Sequence, residues 1–248
     1  MTDFDLWWGD SLKLTETITV KNPKITEIKN LKDEGYAKYL NAICATPYDL
    51  MVELHDNGIM YTDLTDFGLF IGMCVQNLQN CKNEDEIKDN IYYKSFIFWF
   101  GKMFFPCQNT ENNTWFLQSE SGEIIDEFLF KEITTFIKKL NFISLAPKFS
   151  PNNKRAKEFL IEQTRVEQKD KTSISKVSLQ SICSSIRCKG ISKQEITEMS
   201  IYELYESYYR MSIIDNYDKT MAGICSGTVD SSKMNLDEIN WANMISVK

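Results

Sequence analysis

The chain has 248 residues, 43% hydrophobic and 12% aromatic, which is ample material for a core. A net charge of −7 argues against a protein that wraps nucleic acid, because phosphate recognition needs a basic face. The most apolar run, IYYKSFIFWFGKMFF at 91–105, contains Lys94 and Lys102 and falls short of the roughly 20 residues of a membrane span.

The opening MTDFDLWWGD is acidic and lacks the basic and apolar regions of a signal peptide. Leu12 and Leu14, then Ile18 and Val20, alternate with polar residues around a TET turn, so the first element reads as β, stopped at Pro23. Apolar residues from Ile25 to Cys44 then recur at helical spacing, with a break expected near Gly35. In TPYDLMVELHDNG, Thr46 is placed to cap a helix, Pro47 to open it and Gly58 to close it. A second helix should start at Thr65 or Asp66, with Phe67, Phe70, Ile71, Cys74, Val75 and Leu78 on one face. The aromatic run at 91–105 predicts a buried strand or helix, and TWFLQSESGEIID predicts a hairpin over 114–126. Residues 128–142 read as a helix that brings the first unit to its end near Pro147.

Residues 150–171 are half charged. Lys154 with Glu158, Glu162 with Arg165 and Glu167 with Lys171 can pair along an exposed bridging helix. Its apolar stripe is Ala156, Phe159, Leu160 and Val166. A serine-rich helix follows, stopped at Gly190. Capping boxes are expected at Ser192 with Glu195 and at Ser200 with Glu203. The last long helix should run from Ile201 to about Cys225 and end at Gly227. The fold class is therefore α+β. An N-terminal unit (1–147) holds a small β-hairpin region, a charged bridging helix covers 148–171, and the C-terminal unit (172–248) is mainly helical.

No residue set calls for catalysis, a cofactor or a metal. His55 stands alone near a helix end, where its charge suits the last carbonyls. The seven cysteines are odd in number and scattered, and read as reduced core residues. Gly68 and Gly72 read as tolerated helix glycines in preference to a close-packing motif. Asp215 and Asp218 share a helix face that is more simply solvated than metal-binding. A non-enzymatic protein is expected.

Three stretches carry a resemblance. They are LKLTETITVKNPKITEI with YAKYLNAICATPYDLMVELHDNGIMYTDLTDFGLFI, the central KRAKEFLIEQTRVEQKDK, and the closing MAGICSGTVDSSKMNLDEINWANMI. Together they resemble proteins of the tail-gene region of tailed phages and prophages of Gram-positive hosts, similar to tail assembly chaperones. The resemblance implies a tail or baseplate assembly role in the host cytoplasm or on the virion. It implies phage tail proteins as partners (tape measure, tail tube or baseplate), no nucleic acid, membrane or cofactor, and leaves homo-oligomerisation open. Two other readings stand beside it: an inhibitor of a host defence protein and a small Asp/Glu-based enzyme. For a binding protein the candidate partner-binding residues are Tyr205, Tyr208 and Met211, spaced as anchors on the last long helix, although the same spacing suits a core stripe. Trp241 completes the set. The tail that carries it is expected to fold back, docking the indole on the chain's own helices or on a partner.

Overall fold

A computed structural model describes residues 2–146, 148–170, 177–230, 232, 234–243 and 245, and the side chains of all these except 32, 33, 169 and 170. It is α+β, with two small antiparallel sheets among helices and a helical C-terminal region. The chain opens with α1 (Asp3–Trp7), a short helix held by reciprocal capping between Thr2 and Asp5. The TET turn joins β1 (Leu12–Lys13) to β2 (Thr19–Val20) in register, with Leu12 opposite Val20. Then α2 (Ile25–Cys44) runs unbroken through Gly35, correcting the expected break. A helical glycine costs only about 1 kcal/mol against alanine, less than the burial of Ile28, Tyr36 and Ile43 on one face supplies.

Thr46 and Asp49 exchange capping hydrogen bonds, yet the backbone from Pro47 is a turn and α3 (Met51–Asp56) starts later than the expected opening at Pro47. Gly58 supplies the expected left-handed turn, at φ +75°. Thr65 caps α4 (Asp66–Gln79) by accepting from the Gly68 amide. A Cβ on Gly72 would meet open space, in keeping with a tolerated glycine. After α5 (Glu84–Asp89) the aromatic run divides. Asn90 caps α6 (Ile91–Phe100), Gly101 breaks it at φ +72°, and the rest becomes β3 (Phe104–Gln108). The run thus takes both of the forms the sequence left open, a helix and then the start of a strand. Strand β3 pairs with β4 (Trp115–Ser119), which pairs with β5 (Ile124–Ile125), the expected hairpin. Asp126 caps α7 (Glu127–Leu140).

The charged segment forms α8 (Lys154–Asp170), with the Lys154–Glu158 and Glu162–Arg165 pairs in place. The Glu167–Lys171 pair and the boundary at Pro147 lie outside the described residues. Its expected stripe needs correction. Phe159 and Val166 face solvent, while Ile161 is fully buried against Met51, Val52 and Tyr61. The Arg165 guanidinium holds both carboxylate oxygens of Asp56, at 3.0 and 2.6 Å, so α8 docks on α3. Next come α9 (Leu179–Cys188), α10 (Lys193–Glu198) and α11 (Ile201–Cys225). The capping box at Ser192 and Glu195 is complete; at Ser200 only the half in which its hydroxyl accepts from the Glu203 amide forms.

The buried residues do not sort by the expected boundaries at 147 and 171. One cluster runs from Leu6 through Trp99, Phe104 and Ile137 to Ile186 and Leu204. The backbone stitches its two ends together: the Ile25 amide donates to the Met199 carbonyl and the Ile201 amide to the Pro23 carbonyl, both at 2.9 Å. Cys44 and Cys74 are buried as expected, but Cys188 and Cys225 are exposed, ending helices rather than lining the core. Among the described residues no helix is long and apolar enough to cross a membrane.

Candidate interaction surface

Two surface features are shaped as sites: a groove beside α7 and an aromatic surface on α11. The groove, about 850 Å³, lies between the end of α2, the turn at 46–50 and α7. Its charged lining is Asp49, Asp66, Lys131, Lys138 and Lys148. Burial works to raise the Asp49 carboxyl, but hydrogen bonds from Lys148 and Thr46 outweigh it and hold the group below its ordinary value. A carboxylate kept ionised by a lysine is a structural pair, unsuited to proton transfer near neutrality. Among the described residues no group of three or more His, Cys, Asp or Glu stands together as metal ligands. Asp215, read from the sequence as lying on a solvated helix face, pairs with Lys189 at 2.7 Å and ties the end of α9 to α11.

The aromatic surface is built from the end of α7 upward. The Phe142 amide donates to the Lys139 carbonyl and the Ile143 amide to that of Lys138, the paired bonds that close a helix through a left-handed residue. Glycine is usual there; this chain has Phe142, at φ +53°. That conformation carries strain on the order of 1 kcal/mol or more for a bulky residue and persists only where its surroundings enforce it. The enforcement is visible on both sides. The Asn141 side chain donates to the Ile137 carbonyl and accepts the Tyr36 hydroxyl, at 2.8 and 2.7 Å. Burial raises the Tyr36 phenol well above its ordinary pKa, so it remains a neutral donor. The Phe142 ring then meets three tyrosines of α11: Tyr202 at 5.2 Å, Tyr205 at 6.0 Å and Tyr209 stacked at 5.2 Å.

This places the predicted residues. Tyr205, Tyr208 and Met211 are half-buried and pack against the core, the plain role their spacing also allowed. Tyr209, one step round the helix, is the tyrosine that keeps an open face. The tail does fold back, but by a different grip from the one expected. Trp241 leaves its indole half exposed and contributes its carbonyl, which accepts from Arg210, as does the Asn243 carbonyl at 2.7 Å. Arg210 is itself aimed by Glu206, which accepts from Nε and Nη2 at 3.0 and 2.8 Å. Beside this grip lies an open cavity of about 210 Å³, lined by Asp3, Lys139, Phe142, Leu145, Tyr202 and Ile245 of the tail. The grip is modest: each of the two bonds from the guanidinium is worth about 1.5–3 kcal/mol. Both work against the entropy of ordering the arm.

Asp3 brings α1 to the rim, bonded to Lys139 at 2.6 Å. Leu6 is buried, whereas Phe4 (68%), Trp8 (65%) and Trp7 (38%) face solvent, Trp7 and Trp8 meeting edge to face at 5.0 Å. Sequence reasoning passed over Phe4, Trp7, Trp8, Phe142, Arg210 and Ile245. One signal was readable: Thr2 and Asp5 have capping-box spacing, which turns DFDLW into a helix with only Leu6 inward. Nothing local marks Phe142, because its role depends on rings some sixty residues later.

Residues 167–246 match the family described as the YomV second domain, which points to a phage protein. No curated protein and no solved structure matches.

Proposed function

We propose that this chain is a phage protein that acts by binding, without catalysis, as a chaperone of tail or baseplate assembly. Its partners on this reading are tail proteins (tape measure, tail tube or baseplate), met in the host cytoplasm. One observation carries the binding reading: exposed aromatic side chains stand on two segments that contact each other, α1 and α11 with its returning tail. Phe4, Trp7 and Trp8 stand on the α1 side, Tyr209 and Trp241 on the α11 side. Tryptophan and tyrosine are the residues most enriched where proteins grip one another, and a concentration of such exposed rings marks an interaction surface. The phage context comes from the family match and from the resemblance to tail-region proteins.

The test is co-expression with the tape-measure protein of the same phage genome. The expected result is a soluble, co-purifying client, with recovery reduced about tenfold or more by the double substitution Trp8→Ala and Tyr209→Ala, the scale of losing two aromatic contacts. A client that stays insoluble, with no tape-measure, tail-tube or baseplate protein retained, overturns the proposal.

A further inference from the structure

We infer that the groove beside α7 is a binding site for a small amphiphile with a single anionic head group. The head sits on α7 and the apolar body lies at the seam between the chain's two cores. The site is independent of the function proposed above, because the groove is lined by none of the exposed rings Phe4, Trp7, Trp8, Tyr209 and Trp241.

The groove exists because two apolar clusters do not merge. Leu40 and Cys44 line it from the large core, Tyr48 and Tyr61 from the small core that α3 builds with α8. Between them Leu50, Leu64 and Ile143 also face the space and stay only half-buried. Apolar side chains on a concave surface retain area that a ligand can remove from water. The volume of about 850 Å³ is that of a small-molecule site, for which ~300–1,000 Å³ is usual.

The charge of the lining decides which ligand. Helix α7 turns Lys131, Thr134, Thr135 and Lys138 to the groove, the i, i+3, i+4 and i+7 positions of one face. Thr134 is satisfied within the helix, its hydroxyl donating to the Lys131 carbonyl at 3.1 Å. Lys131 and Lys138 have no ion-pair partner among the described residues. The third lysine is committed elsewhere: Lys148 pairs with Asp49 and stands over the Tyr48 ring, 5.1 Å from its centre. The other acid of the lining is Asp66, in the first turn of α4. Two unpaired lysines against one carboxylate leave a single positive charge in excess, in a chain whose net charge is −7. One anionic head balances it, and the α7 stripe, with donors and no carboxylate, is where that head is received.

The probe is anilinonaphthalene sulfonate, an apolar ring system with one anionic group, titrated by fluorescence against the full chain. One saturable site is expected, emptied by laurate below its micelle concentration and not by lauryl alcohol, which has the same chain without the charge. Lys131→Met with Lys138→Met keeps the apolar stems and removes the charges, so it should bind the probe at least about tenfold more weakly, the scale of a lost charge-assisted contact. Thr135→Glu, which sets a carboxylate into the stripe, should give a similar loss and serves if the double variant folds poorly. The inference is overturned by the absence of a saturable site, by laurate failing to displace the probe, or by lauryl alcohol displacing it equally well. It is also overturned if both sets of α7 variants bind as tightly as the unsubstituted chain, or if Trp8→Ala with Tyr209→Ala abolishes binding and so places the probe on the aromatic surface. Capture of the tape-measure protein should be unchanged in the α7 variants, which keeps the failure of this inference distinct from failure of the chaperone role.

Discussion

Glu123 shows how one side chain can set a local pH response. It receives Lys102 Nζ at 2.6 Å and the hydroxyls of Ser119 and Ser121, closing the turn between β4 and β5. The Lys102 hydrogen bond first, then those of the two serines, lower its pKa from 4.5 to about 2. A carboxylate depressed in the folded state adds stability that is complete above its unfolded value and disappears as pH falls through the folded one. The difference in melting temperature between the unsubstituted chain and Glu123→Gln should therefore hold at neutral pH, shrink below pH 4.5 and vanish near pH 2. Thermal melts across that range check it; a difference that does not change with pH would show the charge is not what Glu123 contributes. Phe142 is the opposite case at the same scale. Its left-handed backbone was not legible, because the glycine that normally announces such a turn is absent and the compensating rings belong to another helix.

Helix boundaries were the most readable elements, since caps are local chemistry. Ser200 and Gly227 bracket α11 as the sequence suggested, and Thr65 and Asp126 start α4 and α7. Which face a helix buries was less readable where charge dominates. In α8 the choice fell on Ile161, because Met51, Val52 and Tyr61 are there to receive it, and not on the stripe through Phe159 and Val166. Ile161→Ala should cost ~2–5 kcal/mol, as for other buried aliphatic truncations, whereas Phe159→Ser should stay within about 0.5 kcal/mol. Denaturant melts of the two variants test the assignment, and reversal of their order would restore the sequence-based face.

For the whole molecule the question is whether residues beyond 171 fold on their own account. Their core side chains Ile186, Ile201 and Leu204 belong to the same cluster as Ile28, Trp99 and Ile137. Ile201→Ala should thus weaken amide protection in α2 and α6 as well as in α11, by ~2–5 kcal/mol. Hydrogen exchange read by mass spectrometry decides it: loss confined to α11, with α2 and α6 unchanged, would mean an energetic divide between the halves.

Periodicity, capping residues and turn glycines act within a few positions, so the sequence alone determined the fold class, most helix limits, the first hairpin and the β4–β5 pair. Tertiary structure decided what depends on residues far apart in the chain. It joined the two halves into one core, turned Tyr205, Tyr208 and Met211 inward while leaving Tyr209 open, and gave the tail's anchoring to Arg210 and the Trp241 and Asn243 carbonyls in place of the Trp241 indole. A side chain's burial is a property of what packs against it, and no local pattern carries that information.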